Sequence, residues 1–130
     1  MFYTDTKWDN FYGNMSIANK LEAKEIRVTS SPTADFVFEN NYLLPDLEKV
    51  EKHILERKQL PEIASAKEMQ QKGVDVGSFQ IKLLQKIEEL TLYTIEQNKQ
   101  MKKQTKVTAT LEQHLEKLEQ RIHNLEHQKP

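Results

Sequence analysis

Apolar residues recur at intervals of four and three along the C-terminal half of this chain. With Ile87 at heptad position a, the a series runs Ile87, Thr94, Met101, Thr108, Leu115 and Ile122. The d series runs Leu83, Leu90, Gln97, Gln104, Leu111, Leu118 and Leu125. Nine of these 13 seam positions are apolar in one unbroken register, the signature of a coiled coil. No glycine or proline follows Gly77 until Pro130. The spacing therefore predicts one helix from about Ser78 to about Glu126, on the order of 70 Å long at 1.5 Å per residue. A chain this small has no second element long enough to cover such a rod, so the seam is expected to meet copies of itself.

The seam turns polar at its waist, at Thr94, Gln97, Gln104 and Thr108. Buried polar seam residues cost stability and set register and strand number. Lys99, Lys102, Lys103 and Lys106 fall at outward f, b, c and f positions of the same waist. Beyond it, His114 and Arg121 at g face Glu119 and Glu126 at e, a placement suited to pairs between chains. Isoleucine at a with leucine at d favours two strands, whereas polar d positions and the broad flanks Tyr93 and Val107 suit three.

Upstream the period shortens. Pro45 suits a first helical position, Leu47, Val50 and Ile54 line one face, Glu48 and Lys52 are spaced to pair, and Pro61 closes the element. Ser65 and Glu68 fit a capping box, and Gly73 sits where a helix-ending glycine belongs. Before residue 43 lie eight of the ten aromatics: Phe2, Tyr3, Trp8, Phe11, Tyr12, Phe36, Phe38 and Tyr42. Glu25–Thr29 alternates polar and apolar, Asp35–Phe38 is β-prone, and Ser30–Thr33 reads as a turn. The expected fold class is thus mainly α, with a small β-containing N-terminal part ahead of short helices and a long coiled-coil helix. The expected divisions are 1–42, 43–77 and 78–130.

Composition narrows the function. Charged residues make up 30% of the chain, yet the net charge is −1, which argues against a dedicated binder of nucleic acid or anionic membrane. No apolar run is long enough to span a bilayer, and the first residues lack the basic and apolar regions of a secretory signal. The absence of cysteine removes disulfides, thiolate metal sites and cysteine nucleophiles. Three glycines exclude a glycine-rich phosphate loop.

Candidate chemistry is sparse. His123 and His127 lie at i, i+4, but no HExxH pattern frames them, and histidine near a helix C-terminus complements the helix dipole. His53 and His114 stand apart from them. No metal or cofactor is therefore expected. Glu88 and Glu89 are adjacent on a helix and point apart, so they read as a solvated face rather than an acid–base pair. The lysine cluster also reads as solvation, with phosphate or anionic glycan as the functional counterpart. Ser30 and Ser31 sit in no nucleophile elbow. The N-terminal aromatics suit packing between chains, or else a ligand such as sugar.

Several motifs occur in a familiar order: Lys24–Val28, Ala34–Phe38, Tyr42-Xaa-Leu-Pro, Leu60–Glu68 and Leu83–Tyr93. Together, over roughly Leu21 to Lys99, they resemble the C-terminal module of tail-fibre-like and adhesin-like proteins of Bacteroides- and Flavobacterium-type bacteria and their phages. That group is loosely similar to endosialidase-type intramolecular chaperone domains, which are trimeric, helix-rich modules that help fibres fold and then cut themselves off. The resemblance implies a helical end-piece on a surface or tail fibre, in a virion tail or at a cell surface. Such chaperones begin with a serine-aspartate pair. Here Ala34 precedes Asp35, so the resemblance does not carry the cleavage over.

The expectation is a non-enzymatic homotrimer, with a dimer as alternative, that assembles with other fibre or particle components and neither binds nucleic acid nor inserts into membrane. Its oligomerisation residues are Leu83, Ile87, Leu90, Met101, Leu111, Leu115, Leu118, Ile122 and Leu125. A receptor- or glycan-binding fibre tip is the first alternative, and an autoproteolytic chaperone the second.

Overall fold

The structure, a computed structural model, describes residues 12–29 and 34–128. It is mainly helical: a 3-10 turn at Asp35–Phe38 precedes α1 (Leu47–Arg57), α2 (Ala66–Lys72) and α3 (Val76–His127). At 52 residues, α3 is about 78 Å long at 1.5 Å per residue. Its threonines fit the helix by donating back to carbonyls one turn earlier, Thr91 to Ile87 and Thr94 to Leu90 (both 2.8 Å), and Thr105 to Met101 (2.9 Å). No helix among the described residues is long and apolar enough to cross a membrane.

The short helices carry the predicted punctuation with one shift. Ser65 caps α2: its Oγ accepts from the Glu68 N–H at 3.2 Å, and Glu68 accepts from the Ser65 N–H at 2.9 Å. Gly73 ends α2 at φ +75°, a conformation that a side chain would strain. In contrast, α1 begins at Leu47 with Asp46 as its N-cap, so Pro45 lies outside the helix. The helix also stops well before Pro61, with Lys58 in the left-handed region at φ 56°. Proline disfavours the helical region for the residue before it, Leu60, and the chain leaves the helix earlier, at Lys58. Along α1 the ion pairs are Lys49–Asp46 (3.0 Å) and Lys52–Glu56 (3.9 Å), not Glu48–Lys52.

The expected β part needs correction. Among the described residues there is no strand. Asp35–Phe38 winds into a 3-10 turn that buries Ala34 and Val37, leaving Phe36 and Phe38 at 43% and 55% exposure. Burial three residues apart is the 3-10 period, whereas a strand would bury alternate residues. Glu25–Thr29 is exposed and irregular. An alternating segment becomes a strand only where a neighbouring strand completes its hydrogen bonds.

The 3-10 turn packs against α3. The Phe36 and Tyr42 rings meet beside it, with centroids 5.8 Å apart. Ala34 and Val37 are the only buried hydrophobic residues among those described. The described segments that precede α3, here the head, are held to this helix by a very small apolar core, and polar contacts supply the rest.

Candidate functional site

Five side chains from three parts of the chain meet on one side of α3. The Tyr42 hydroxyl, from the segment before α1, donates to Glu89 Oε1 at 2.5 Å. Gln85 Nε2 donates to Glu89 Oε1 and Glu62 Oε2, both at 2.9 Å. Lys86 Nζ donates to Glu62 Oε2 at 2.8 Å and to both Glu89 oxygens at 3.1 Å. Nearby, the Tyr93 hydroxyl donates to the Pro45 carbonyl. These bonds clasp the segments around Tyr42, Pro45 and Glu62 to the helix.

The clasp shifts its own ionisations. Lys86 donating to Glu62 holds that carboxyl below the usual carboxylate range. Burial works against the Lys86 ammonium, but the hydrogen bonds to Glu62 and Glu89 outweigh it and hold its pKa above the ordinary value. Burial pushes the Tyr42 hydroxyl up, and its bond to Glu89 pushes the same way. Glu88 differs. Its pKa is raised by burial and then by the nearby Asp35 charge, and its Oε2 is buried without a hydrogen-bond partner among the described residues.

Glu88 and Glu89 correct the sequence reading, which placed them on a solvated face: they are 7% and 6% exposed. Their neighbours in space come from residues 34–62, a separation that helical spacing does not encode. The one signal was a second stripe of Ile81, Leu92 and Tyr93 off the heptad seam, all half-buried here.

The seam lies on the other side of α3. At 100° per residue, Gln85, Glu88 and Glu89 point roughly 130–170° away from the mean direction of its a and d positions, while Lys86 and Tyr93 fall at g, on its flank. Leu83, Ile87, Leu90, Met101, Leu111, Leu115, Leu118, Ile122 and Leu125 are all between 40% and 64% exposed. From Thr94 to the end of α3 every residue is exposed. Lys99, Lys102, Lys103 and Lys106 make no ion pair among the described residues. Tyr12 is 91% exposed, while Phe2, Tyr3, Trp8, Phe11, Ser30 and Ser31 lie outside the described residues.

Comparison with family models, curated proteins and solved structures finds no match to this chain.

Proposed function

We propose that this chain is a non-catalytic assembly module, a parallel homotrimer joined through the a/d seam of α3 and serving as the helical end-piece of a phage tail fibre or bacterial surface fibre. One observation carries the assembly reading: nine apolar seam residues stay exposed along α3 while the head occupies the opposite side. Helix packing against a partner is what stabilises a long amphipathic helix in water. The head covers f, b and c positions and reaches the g flank at Lys86 and Tyr93, and it leaves the a and d positions bare.

Charge supports the parallel arrangement. In a parallel coil each g residue faces the e residue five positions on in its neighbour, so Arg121 meets Glu126 and His114 meets Glu119. An antiparallel coil sets e against e and g against g, which forms neither pair. The polar waist supports a unique register, because a shifted pairing buries Gln97 and Gln104 against leucine. Once the seams join, the N-terminal segments of three chains are held at high effective concentration. The fibre setting rests on the motif resemblance between Leu21 and Lys99.

Light scattering on a sizing column across a dilution series tests the proposal. The expected mass is three times that of the 15.3 kDa chain and persists on dilution. Twice the chain mass would keep the coiled coil and remove the trimer. A stable monomer would remove the assembly function.

A further inference from the structure

The last turns of α3 carry His123 and His127, whose position near a helix end is by itself unremarkable. The structure adds two facts. Their ring centroids are 4.1 Å apart with the planes tilted by 43°, so both imidazoles occupy the same side of one helical turn. His127 Nδ1 also lies 2.9 Å from the His123 carbonyl oxygen. A carbonyl only accepts, so Nδ1 carries the proton and donates. In the neutral ring the lone pair is then on Nε2. A ring N–H held by a backbone carbonyl is the outer arrangement by which metal-ligating histidines are oriented and their tautomer fixed.

The geometry points to His123 and His127 as a two-imidazole site for a borderline divalent transition ion such as Zn²⁺ or Ni²⁺. Two histidines at i, i+4 share one helix face, the spacing that sets two imidazoles on one zinc in H-E-x-x-H helices. Imidazole selects zinc, nickel and copper, whereas magnesium and calcium require oxygen donors. No group of three or more His, Cys, Asp or Glu gathers into a metal cage among the described residues. The chain therefore supplies two ligands and water completes the shell, an open and exchangeable site unlike the closed four-ligand structural kind. Both residues are exposed and fall at heptad positions b and f, off the a/d seam. The site belongs to each helix end singly and does not depend on the assembly proposed above. A bound ion also stabilises the last turns, because the two rings are neighbours only while the helix is formed.

Calorimetric titration of the full chain with ZnCl₂ and NiCl₂, with MgCl₂ as control, tests this. One Zn²⁺ or Ni²⁺ per chain is expected, and no heat from Mg²⁺. His123→Asn and His127→Asn should each weaken binding by roughly tenfold or more, at least the loss that follows removal of an outer partner. His53→Asn and His114→Asn should bind as the parent chain does. The double change His127→Gln with Gln128→His keeps the histidine count but breaks the one-turn spacing, and it should bind as weakly as His127→Asn. The site is overturned if the parent chain takes up neither ion, or if either asparagine variant or the spacing variant retains parental affinity.

Discussion

The stretch of α3 around residues 81–93 and the stretch beyond it are one continuous helix in two opposite situations. In the first, Gln85, Glu88 and Glu89 are buried while Ile87 and Leu90 beside them stay 59% and 63% exposed. In the second, polar and apolar residues alike are exposed. A chain that folds alone buries its leucines and leaves its glutamates in water. Around residues 81–93 α3 does the reverse. The head attaches there through a clasp of Tyr42, Glu62, Gln85, Lys86 and Glu89 and leaves the leucine side bare. The contrast teaches that the head and the seam use different chemistry on different sides of one helix, so each can be broken without the other.

The largest expected effect is on the seam. Leu111→Lys with Leu118→Lys replaces two d residues by charges that burial in a coil would desolvate. Each buried leucine contributes about 2 kcal/mol per chain, so the double change should abolish association. Light scattering should then give the 15.3 kDa chain, and circular dichroism should show loss of helix from the bare portion of α3. A particle of unchanged mass would mean the seam is not the interface.

Next comes the clasp. Lys86→Met leaves the Glu89 carboxylate buried without its ammonium, a loss of about 3 kcal/mol for a pair this covered. Urea unfolding followed by tyrosine near-ultraviolet dichroism should show it, while the particle mass stays that of the parent chain. A drop in mass would join the two sides that the comparison separates. Val37→Ala, which removes two methyl groups from the apolar contact with α3, should cost about 2 kcal/mol in the same assay. Tyr42→Phe should cost about 1 kcal/mol, because Glu89 keeps its bonds to Lys86 and Gln85.

The helices were legible because their signals are local. Ser65 and Glu68 sit three residues apart, Gly73 follows the last turn of α2, and the seam repeats every seven residues. The Asp35–Phe38 turn was not legible, since the strand preference of Phe-Val-Phe reflects packing between neighbouring strands, and here a helix is the neighbour. The clasp was hidden for a related reason. Tyr42 and Glu89 are 47 residues apart and Glu62 and Gln85 are 23 apart, separations that no local spacing rule encodes. Only the packing of the 3-10 turn on the far side of α3 brings them together.

The smallest expected effect separates two carboxylates of the head by the sign of their pH dependence. Glu62 has its pKa lowered by Lys86, so it contributes stability above its unfolded value, lost as pH falls through its folded value. Glu88 has its pKa raised by burial and by Asp35. Its contribution is complete below the unfolded carboxylate value, about 4.3, and is lost as pH rises through the raised folded value. Glu88→Gln removes that loss. The variant should therefore unfold at higher urea than the parent chain at neutral pH, with the advantage shrinking on acidification through the carboxylate range. Glu62→Gln should do the opposite at neutral pH and approach the parent in acid. If Glu88→Gln were instead less stable at neutral pH, the ionised carboxylate would have to be held by a donor, and the buried Oε2 would not be the orphan that the geometry describes. Neither change touches the seam, so both variants should keep the parental mass across the whole titration.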